Sequence, residues 1–214
     1  MEDGDDGRVP RARRRALPCR WHVRAVVLAL FAVPALALAS WVGAGPTVRL
    51  VRLCRAASTG DTANVTRLAQ DGVALNGELW PGFGTPLMYA AGAGHEGTVS
   101  ALLVLGADPN VHERDDGLTA LHLAAESGNA DACRALLTAH ANVNAVDEFG
   151  RTALHLAVLS GRHDAARVLL DAGADLNVAA DCVRFPRSKH QTALEVARAR
   201  RDADMVLLLT SHGA

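Results

Sequence analysis

The stretch that decides the fold of this chain is DEFGRTALHLA, at residues 147–157. Its central Thr-Ala-Leu-His also occurs at residues 119–122, and shortened forms begin at Thr85 and Thr192. The successive threonines are 34, 33 and 40 residues apart. Self-similarity at a nearly constant period of this size is typical of repeat proteins, so we read the chain as a row of related units.

An apolar helical stretch follows each of these motifs, and a residue suited to end a helix follows the stretch. Two short helices per unit are therefore predicted. The apolar side chains of one unit, such as Leu87 and Leu102, cannot all be buried within that unit, so neighbouring units must stack to cover them. The terminators are Gly106, His140, Gly173 and Gly213.

The chain resembles the ankyrin repeat family. The resemblance rests on residues 147–157 and on GADLN at residues 173–177, which are close to the family's consensus. It implies an all-α solenoid of stacked helix pairs, with finger loops beside a concave face, over residues 46–214. Atypical end units are expected, since they cap the stack against water. The expected units are residues 48–83, 84–116, 117–149, 150–189 and 190–214.

Some positions depart from the family's pattern. Met88 and Glu195 stand where the family has histidine, and Arg201 replaces the glycine between two helices. His122 and His155 follow the pattern and occupy matching positions in successive units. The resemblance implies that these two histidines form structural hydrogen bonds within the loop framework, and we expect no metal site.

Composition and motifs argue against several function classes. The 214 residues carry a formal net charge of -1, which does not favour a nucleic-acid partner. The four cysteines are far apart and form no C-x-x-C pair, so neither a disulfide framework nor a structural zinc site is predicted. The common nucleotide-binding, hydrolase and metalloprotease motifs are absent from the sequence. We expect no enzyme, catalytic residue, cofactor or small-molecule substrate.

Large aromatic and charged side chains fall in the loops between units. Aromatic residues on rigid loops are typical anchors of protein interfaces. The 40-residue interval contains an insertion around residues 182–189, and insertions in repeat arrays often lie on the binding face. Alternatively, the aromatic rings cover the finger bases and the charges are simply solvated. The expected partner-binding residues are Trp80, Phe83, Asp115, Asp116, Leu118, Glu126, Glu148, Phe149, Arg151, Arg184, Phe185, Arg187 and Lys189.

The N-terminal part differs from the repeats. A basic tail at residues 1–24 precedes a hydrophobic segment at residues 25–45. Uncharged residues run without interruption from 25 to 48, which exceeds the roughly 20 residues that a membrane-spanning helix needs. We expect a single-pass anchor. A cleaved signal peptide, ending at the Ala-Leu-Ala of residues 37–39, is the alternative.

The side of the membrane that carries the repeats is left open by two opposing arguments. Seven arginines precede the segment and three follow it closely, which by the positive-inside rule places the repeats outside the cytoplasm. The resemblance instead implies the cytosol or nucleus. Asn64 begins the only N-x-S/T sequon of the sequence, and it is a possible glycosylation site if the repeats are translocated.

Together these features predict a non-catalytic, membrane-tethered adaptor or inhibitor that binds a protein through its finger loops and concave face. Two alternatives remain. The chain could be a structural or chaperone-like subunit of a membrane complex, or a secreted or luminal ankyrin protein after signal-peptide cleavage.

Overall fold

The computed structural model describes residues 45–78, 83–180 and 191–213. Helix pairs follow one another along these residues, as the periodic motifs predict. In each pair an inner helix is followed by an outer helix, and in the last four pairs the inner helix begins at the repeated motif. The pairs are α1 (Pro46–Thr59) and α2 (Thr62–Gln70), α3 (Pro86–Ala93) and α4 (Glu96–Val104), α5 (Ala120–Ser127) and α6 (Ala130–Thr138), α7 (Ala153–Ser160) and α8 (His163–Asp171), and α9 (Ala193–Arg200) and α10 (Ala203–Ser211).

One short antiparallel strand pair, which the all-α expectation did not include, lies before the last helix pair. Strand β1 (Ala179–Ala180) runs beside β2 (Gln191–Thr192). The two strands flank the insertion predicted from the long repeat interval. The backbone on either side of residues 181–190 thus pairs its hydrogen-bonding groups.

The inner helices α3, α5, α7 and α9 begin at the repeated threonines, whose side chains are suited to cap a helix N-terminus. Both departures from the histidine pattern keep a hydrogen-bond acceptor at the same place. Met88 Sδ accepts from the backbone N–H of Thr85 at 3.4 Å. Glu195 Oε2 accepts from the backbone N–H of Thr192 at 3.0 Å. The substitutions therefore preserve the capping geometry with different chemistry.

The core lies between successive helix pairs, as the stacking argument predicts. The small residues Ala90, Ala91, Ala124 and Ala125 are all completely buried, so adjacent inner helices can approach closely. Each central unit also contributes leucines from both of its helices. These fully buried leucines are Leu87, Leu102, Leu121, Leu136, Leu154 and Leu169.

Arginines occupy positions at the two ends of the described stack that are apolar inside it. A Cβ atom on Gly92 would lie 3.7 Å from Cβ of Leu123, so Leu123 packs against the preceding unit. The corresponding residue of the first helix is Arg55, which is exposed. Likewise, Val158 is fully buried, and its counterpart in α9 is the exposed Arg198. Charged residues thus replace apolar ones where no described repeat covers them.

Side chains connect each pair of adjacent units across the inner-helix C-termini. A side chain from the later unit donates a hydrogen bond to a carbonyl oxygen in the last turn of the preceding inner helix, where carbonyls lack helical partners. The four donors are one histidine, one serine and two arginines. These junction bonds are His95 to Ser58 (3.1 Å), Ser127 to Ala91 (3.4 Å), Arg162 to Glu126 (3.2 Å) and Arg200 to Leu159 (2.6 Å).

The predicted membrane segment falls almost entirely outside the residues that the structure describes. Within residues 45–78, 83–180 and 191–213, no helix has the length and apolar character needed to cross a bilayer. The basic tail and residues 25–44 are not among them. The membrane anchor therefore stays a prediction from the sequence.

Candidate functional site

His122 and His155 connect the start of each inner helix to the next finger. The buried Nδ1 of His122 accepts from the backbone N–H of Thr119 at 3.2 Å, and Nε2 donates to the carbonyl oxygen of Arg151 at 3.0 Å. His155 Nε2 donates in the same way to the carbonyl oxygen of Gln191, at 3.1 Å. The structural role predicted for these histidines is confirmed.

Burial keeps both of these imidazoles neutral. Desolvation lowers the pKa of His122 to about 4, and the same cause lowers the pKa of His155. A neutral ring with its proton on Nε2 matches the observed pattern, because Nδ1 faces a donor and Nε2 faces a carbonyl. The tautomer is therefore set by the hydrogen bonds on either side of the ring.

A single buried carboxylate organises the finger at residues 147–151. Asp147 Oδ1 accepts from the backbone N–H groups of Phe149 at 2.9 Å and Arg151 at 2.8 Å. Asp147 Oδ2 binds the Arg151 guanidinium through Nε at 2.7 Å and Nη2 at 2.6 Å. The Asp147 side chain has no exposed area. All these donors fix the finger in one conformation.

This arrangement holds an aromatic side chain at the surface. The Arg151 guanidinium carbon lies 4.7 Å from the centroid of the Phe149 ring, in cation–π geometry. Phe149 still exposes 36% of its surface. Since Asp147 fixes Arg151, it also fixes the support on which the ring rests. Phe149 is thus an exposed aromatic residue with little freedom left to lose on binding.

The adjacent finger at residues 113–118 is built on a similar plan. Glu113 Oε2 accepts from the backbone N–H of Asp116 at 3.0 Å, and the Glu113 N–H donates to the Leu118 carbonyl at 2.8 Å. The two fingers are joined, because the N–H of Glu148 donates to the Asp116 carbonyl at 3.0 Å. The fingers therefore form one connected ridge beside the inner helices.

A profile described as ankyrin repeats (3 copies) matches residues 87–180 and 146–214, which together make up more than half of the chain. This chain belongs to the ankyrin repeat family. No curated protein matches it. Ankyrin repeat proteins are usually non-catalytic binding modules, and their repeats indicate protein partners in general.

The fingers of this ankyrin repeat protein place some of the predicted site residues at the surface. Asp115 and Glu148 are exposed, while Phe83 and Glu126 are partly buried. We call Asp115, Glu148 and Phe149 the finger surface. The finger surface thus combines the aromatic ring of Phe149 with two acidic side chains.

Other predicted site residues do not contribute to the finger surface. Asp116 is 8% exposed and Leu118 is 5% exposed. Leu118 directly precedes the inner helix α5, and its carbonyl accepts from the Glu113 N–H at 2.8 Å. We therefore leave Asp116 and Leu118 out of the surface proposed below. The remaining predicted residues lie outside the described residues; they are Trp80, Arg184, Phe185, Arg187 and Lys189.

Sequence reasoning missed two residues that organise the fingers, Asp147 and Glu113. A signal for Asp147 was present: an aspartate followed closely by Gly150 is typical of a turn that the carboxylate closes. The sequence signal for Glu113 is weaker. Its finger is one residue longer than that of Asp147, and a glutamate instead of an aspartate accepts the backbone N–H of the turn.

The parts of this ankyrin repeat protein that the structure describes bring no three His, Cys, Asp or Glu residues into an arrangement that could hold a metal ion. Cys54 and Cys133 are buried. Desolvation raises the pKa of Cys133 to about 12 and also raises the pKa of Cys54. Both thiols therefore stay protonated, which makes them poor nucleophiles.

Proposed function

We propose that this protein is a membrane-tethered adaptor or inhibitor whose finger surface and concave face bind a protein partner. The observation that supports this most is the fixed, exposed ring of Phe149, held over Arg151 at 4.7 Å. Aromatic residues near the centre of an interface often supply a large share of the binding free energy.

The finger surface is prepared for binding before a partner arrives. Ordering side chains and loops at an interface opposes association, and the bonds from Asp147 have already ordered this finger. Asp115 and Glu148 beside the ring disfavour acidic partners, because like charges brought together at an interface are costly. Rigidity thus favours affinity, and charge provides selection.

Support for the tether comes from the hydrophobic segment at residues 25–45. A tether confines the repeats to one surface and raises their effective concentration toward partners on it, without any additional contact. In this proposal the segment supplies location and the fingers supply recognition. The same fingers would act as an adaptor or as an inhibitor, depending on what the bound partner otherwise contacts.

The test is a comparison of proteins captured by the full chain in membranes from cells that express it. Phe149→Ala is expected to weaken binding of a specific partner by about thirtyfold, the usual effect of truncating an interface anchor. Arg134→Ala, at an exposed position on the outer helix α6, is the matched control and should leave capture unchanged. Thermal unfolding of both variants should match that of the wild type.

The reverse pattern would overturn the choice of surface. If Arg134→Ala removed the partner while Phe149→Ala retained it, the binding face would be the convex one. Capture that neither substitution changed would show that Phe149 is not an anchor, and that its exposure has no role in recognition.

A further inference from the structure

Helix α1 carries three arginines on one exposed side. Arg49, Arg52 and Arg55 follow at intervals of three residues, which places them along one side of the helix, and all three are exposed. We call these residues the arginine stripe. The opposite side of α1 is buried, with Leu53 and Ala57 both at 0% exposure. The stripe therefore faces away from the core.

The stripe lies at the open end of the described stack. Arg55 corresponds to Leu123, which packs against the unit before it, and no described unit precedes α1. No acidic residue occurs between residues 45 and 60, and within the described residues no ion pair to the stripe is formed. This is notable in a domain where residues 47–214 carry 15 basic and 19 acidic side chains (22 − 7 and 23 − 4).

An open groove adjoins the N-terminal end of the stripe. It has a volume of about 460 Å³, and its lining includes Arg49, Leu50 and Val73. Arg49 and apolar residues thus line the same groove, beside the start of helix α1.

We infer that the arginine stripe binds the headgroups of an anionic phospholipid surface. The inference rests on the proposed tether, because the stripe starts four residues after the hydrophobic segment at residues 25–45 (49 − 45). Guanidinium groups bind phosphate oxygens through paired hydrogen bonds. Along α1 the stripe spans about 9 Å, so the helix would lie flat on the headgroups with all three arginines engaged.

Charge and position favour lipid over a protein partner. Near an anionic membrane each arginine contributes about fivefold to the binding equilibrium, and the segment before α1 would hold the stripe within reach of the headgroups. The finger surface has the opposite charge and lies on other elements, so the two surfaces can be occupied together. The stripe would orient the repeats on the membrane while the fingers recognise a protein.

The experiment uses the full chain in vesicles of phosphatidylcholine alone or of phosphatidylcholine mixed with phosphatidylserine. Thr59→Cys, on the same side of α1 as the stripe, carries a fluorophore, and Cys19→Ser and Cys182→Ser remove the cysteines outside the described residues. Cys54 and Cys133 are buried and should not react. Quenching by lipids with a nitroxide on the headgroup reports how close α1 is to the surface.

Stronger quenching in the phosphatidylserine vesicles is the expected result. Paired Arg52→Ala and Arg55→Ala should shift the equilibrium away from the surface by about 25-fold, and added salt should act in the same direction. Paired Arg134→Ala and Arg167→Ala, at exposed positions on outer helices, is the matched control and should change nothing. Circular dichroism melts should show that both double variants fold.

The inference is overturned if quenching is equal in the two vesicle types, or if the Arg52 and Arg55 substitutions leave it unchanged. It is also overturned if these substitutions abolish capture of a protein while lipid quenching persists. Flotation of the same samples tests the tether separately. If the chain floats with neutral vesicles, the hydrophobic segment tethers it, whether or not the stripe binds lipid. If the chain floats only with phosphatidylserine vesicles, and only when the stripe is intact, the stripe binds lipid and the tether is refuted.

Discussion

Arg162 lies directly over Gly128 of the preceding unit, so that a Cβ atom on Gly128 would stand 2.7 Å from Cδ of Arg162. Gly128 ends helix α5 with φ of 84°, a conformation that other residues adopt only with strain. From this position Arg162 Nε reaches the Glu126 carbonyl at 3.2 Å. His95 lies over Gly60 in the same manner, at 2.8 Å. These glycines are therefore needed for close approach as well as for their backbone conformation.

We predict that Gly128→Ala lowers the free energy of unfolding by more than Gly173→Ala. Gly173 has nearly the same φ, 83°, but a Cβ there would meet nothing within 4 Å. Gly173→Ala should therefore cost about 1–2 kcal/mol of backbone strain alone. Gly128→Ala should cost about 1 kcal/mol more, because Arg162 must leave the Glu126 carbonyl. Urea unfolding measures both values.

An Arg162→Ala background provides the control for that comparison. With the long side chain removed, the two glycine substitutions should have equal costs, since only the strain remains. A difference that persisted in this background would mean that Arg162 does not cause it.

The buried His122 predicts a loss of stability in mild acid. Its pKa is about 4 in the folded protein against 6.5 for an unperturbed histidine, so the unfolded chain binds the proton more readily. Stability is therefore constant above about pH 6.5 and falls as the pH drops from there toward 4, by roughly 3 kcal/mol for this group. His155 acts in the same direction. Urea unfolding across this pH range measures the slope.

The chain itself suggests the control, since Met88 stands at the corresponding place in the second unit. His122→Met should keep an acceptor for the Thr119 N–H but lose the bond to the Arg151 carbonyl. We expect lower stability at pH 7, by about 1 kcal/mol, and a flatter pH dependence. An unchanged slope in this variant would rule out His122 as the titrating group.

His140 is predicted to be a strained terminator that glycine would improve. It adopts φ of 62° at the position where Gly106 and Gly173 end the other outer helices, as the repeat alignment predicts. His140→Gly should relieve about 1–2 kcal/mol of strain and cost about 0.5–1 kcal/mol in chain entropy. The variant should thus be neutral or more stable by up to about 1 kcal/mol in thermal unfolding. His140→Ala, which keeps a Cβ atom, should show no gain; clear destabilisation by glycine would reveal a contact of the imidazole.

Asn64 provides the test of membrane orientation. Following the excess of arginines before the hydrophobic segment, the positive-inside rule predicts that the repeats are translocated and that Asn64 is glycosylated in a eukaryotic host. The arginine-stripe inference predicts the opposite outcome, because anionic phospholipids lie in the cytoplasmic leaflet. Asn64 is exposed in helix α2, where its side chain bonds to Asp61 and Arg67. The sugar must therefore be attached before α2 folds. A glycosidase-sensitive mobility shift that Asn64→Gln removes would show translocation.

Protease digestion of sealed microsomes that contain the full chain decides the case if no glycan is found. Protection of the repeats agrees with translocation. Complete digestion contradicts it and places the repeats on the cytosolic side, as the family resemblance implies.

The sequence by itself determined the features that depend on short-range patterns. The spacing of the Thr-Ala-Leu motifs predicted the helix pairs, and the matched terminators predicted the left-handed backbone of His140. Helix capping and turn chemistry act between residues a few positions apart, so they can be read along the chain. The stacking of apolar faces followed from the same periodicity.

Only the tertiary structure decided which side chains meet across the repeat period. Leu118 and Phe149 both lie in finger loops, yet Leu118, directly before the capping Thr119, is buried, whereas Phe149, three residues before Thr152, is exposed. The junction bonds likewise join residues 36 to 41 positions apart through donors as unlike as histidine, serine and arginine. Such contacts depend on the packing of neighbouring units, since several side chains satisfy the same carbonyl, and no local pattern specifies which one will reach it.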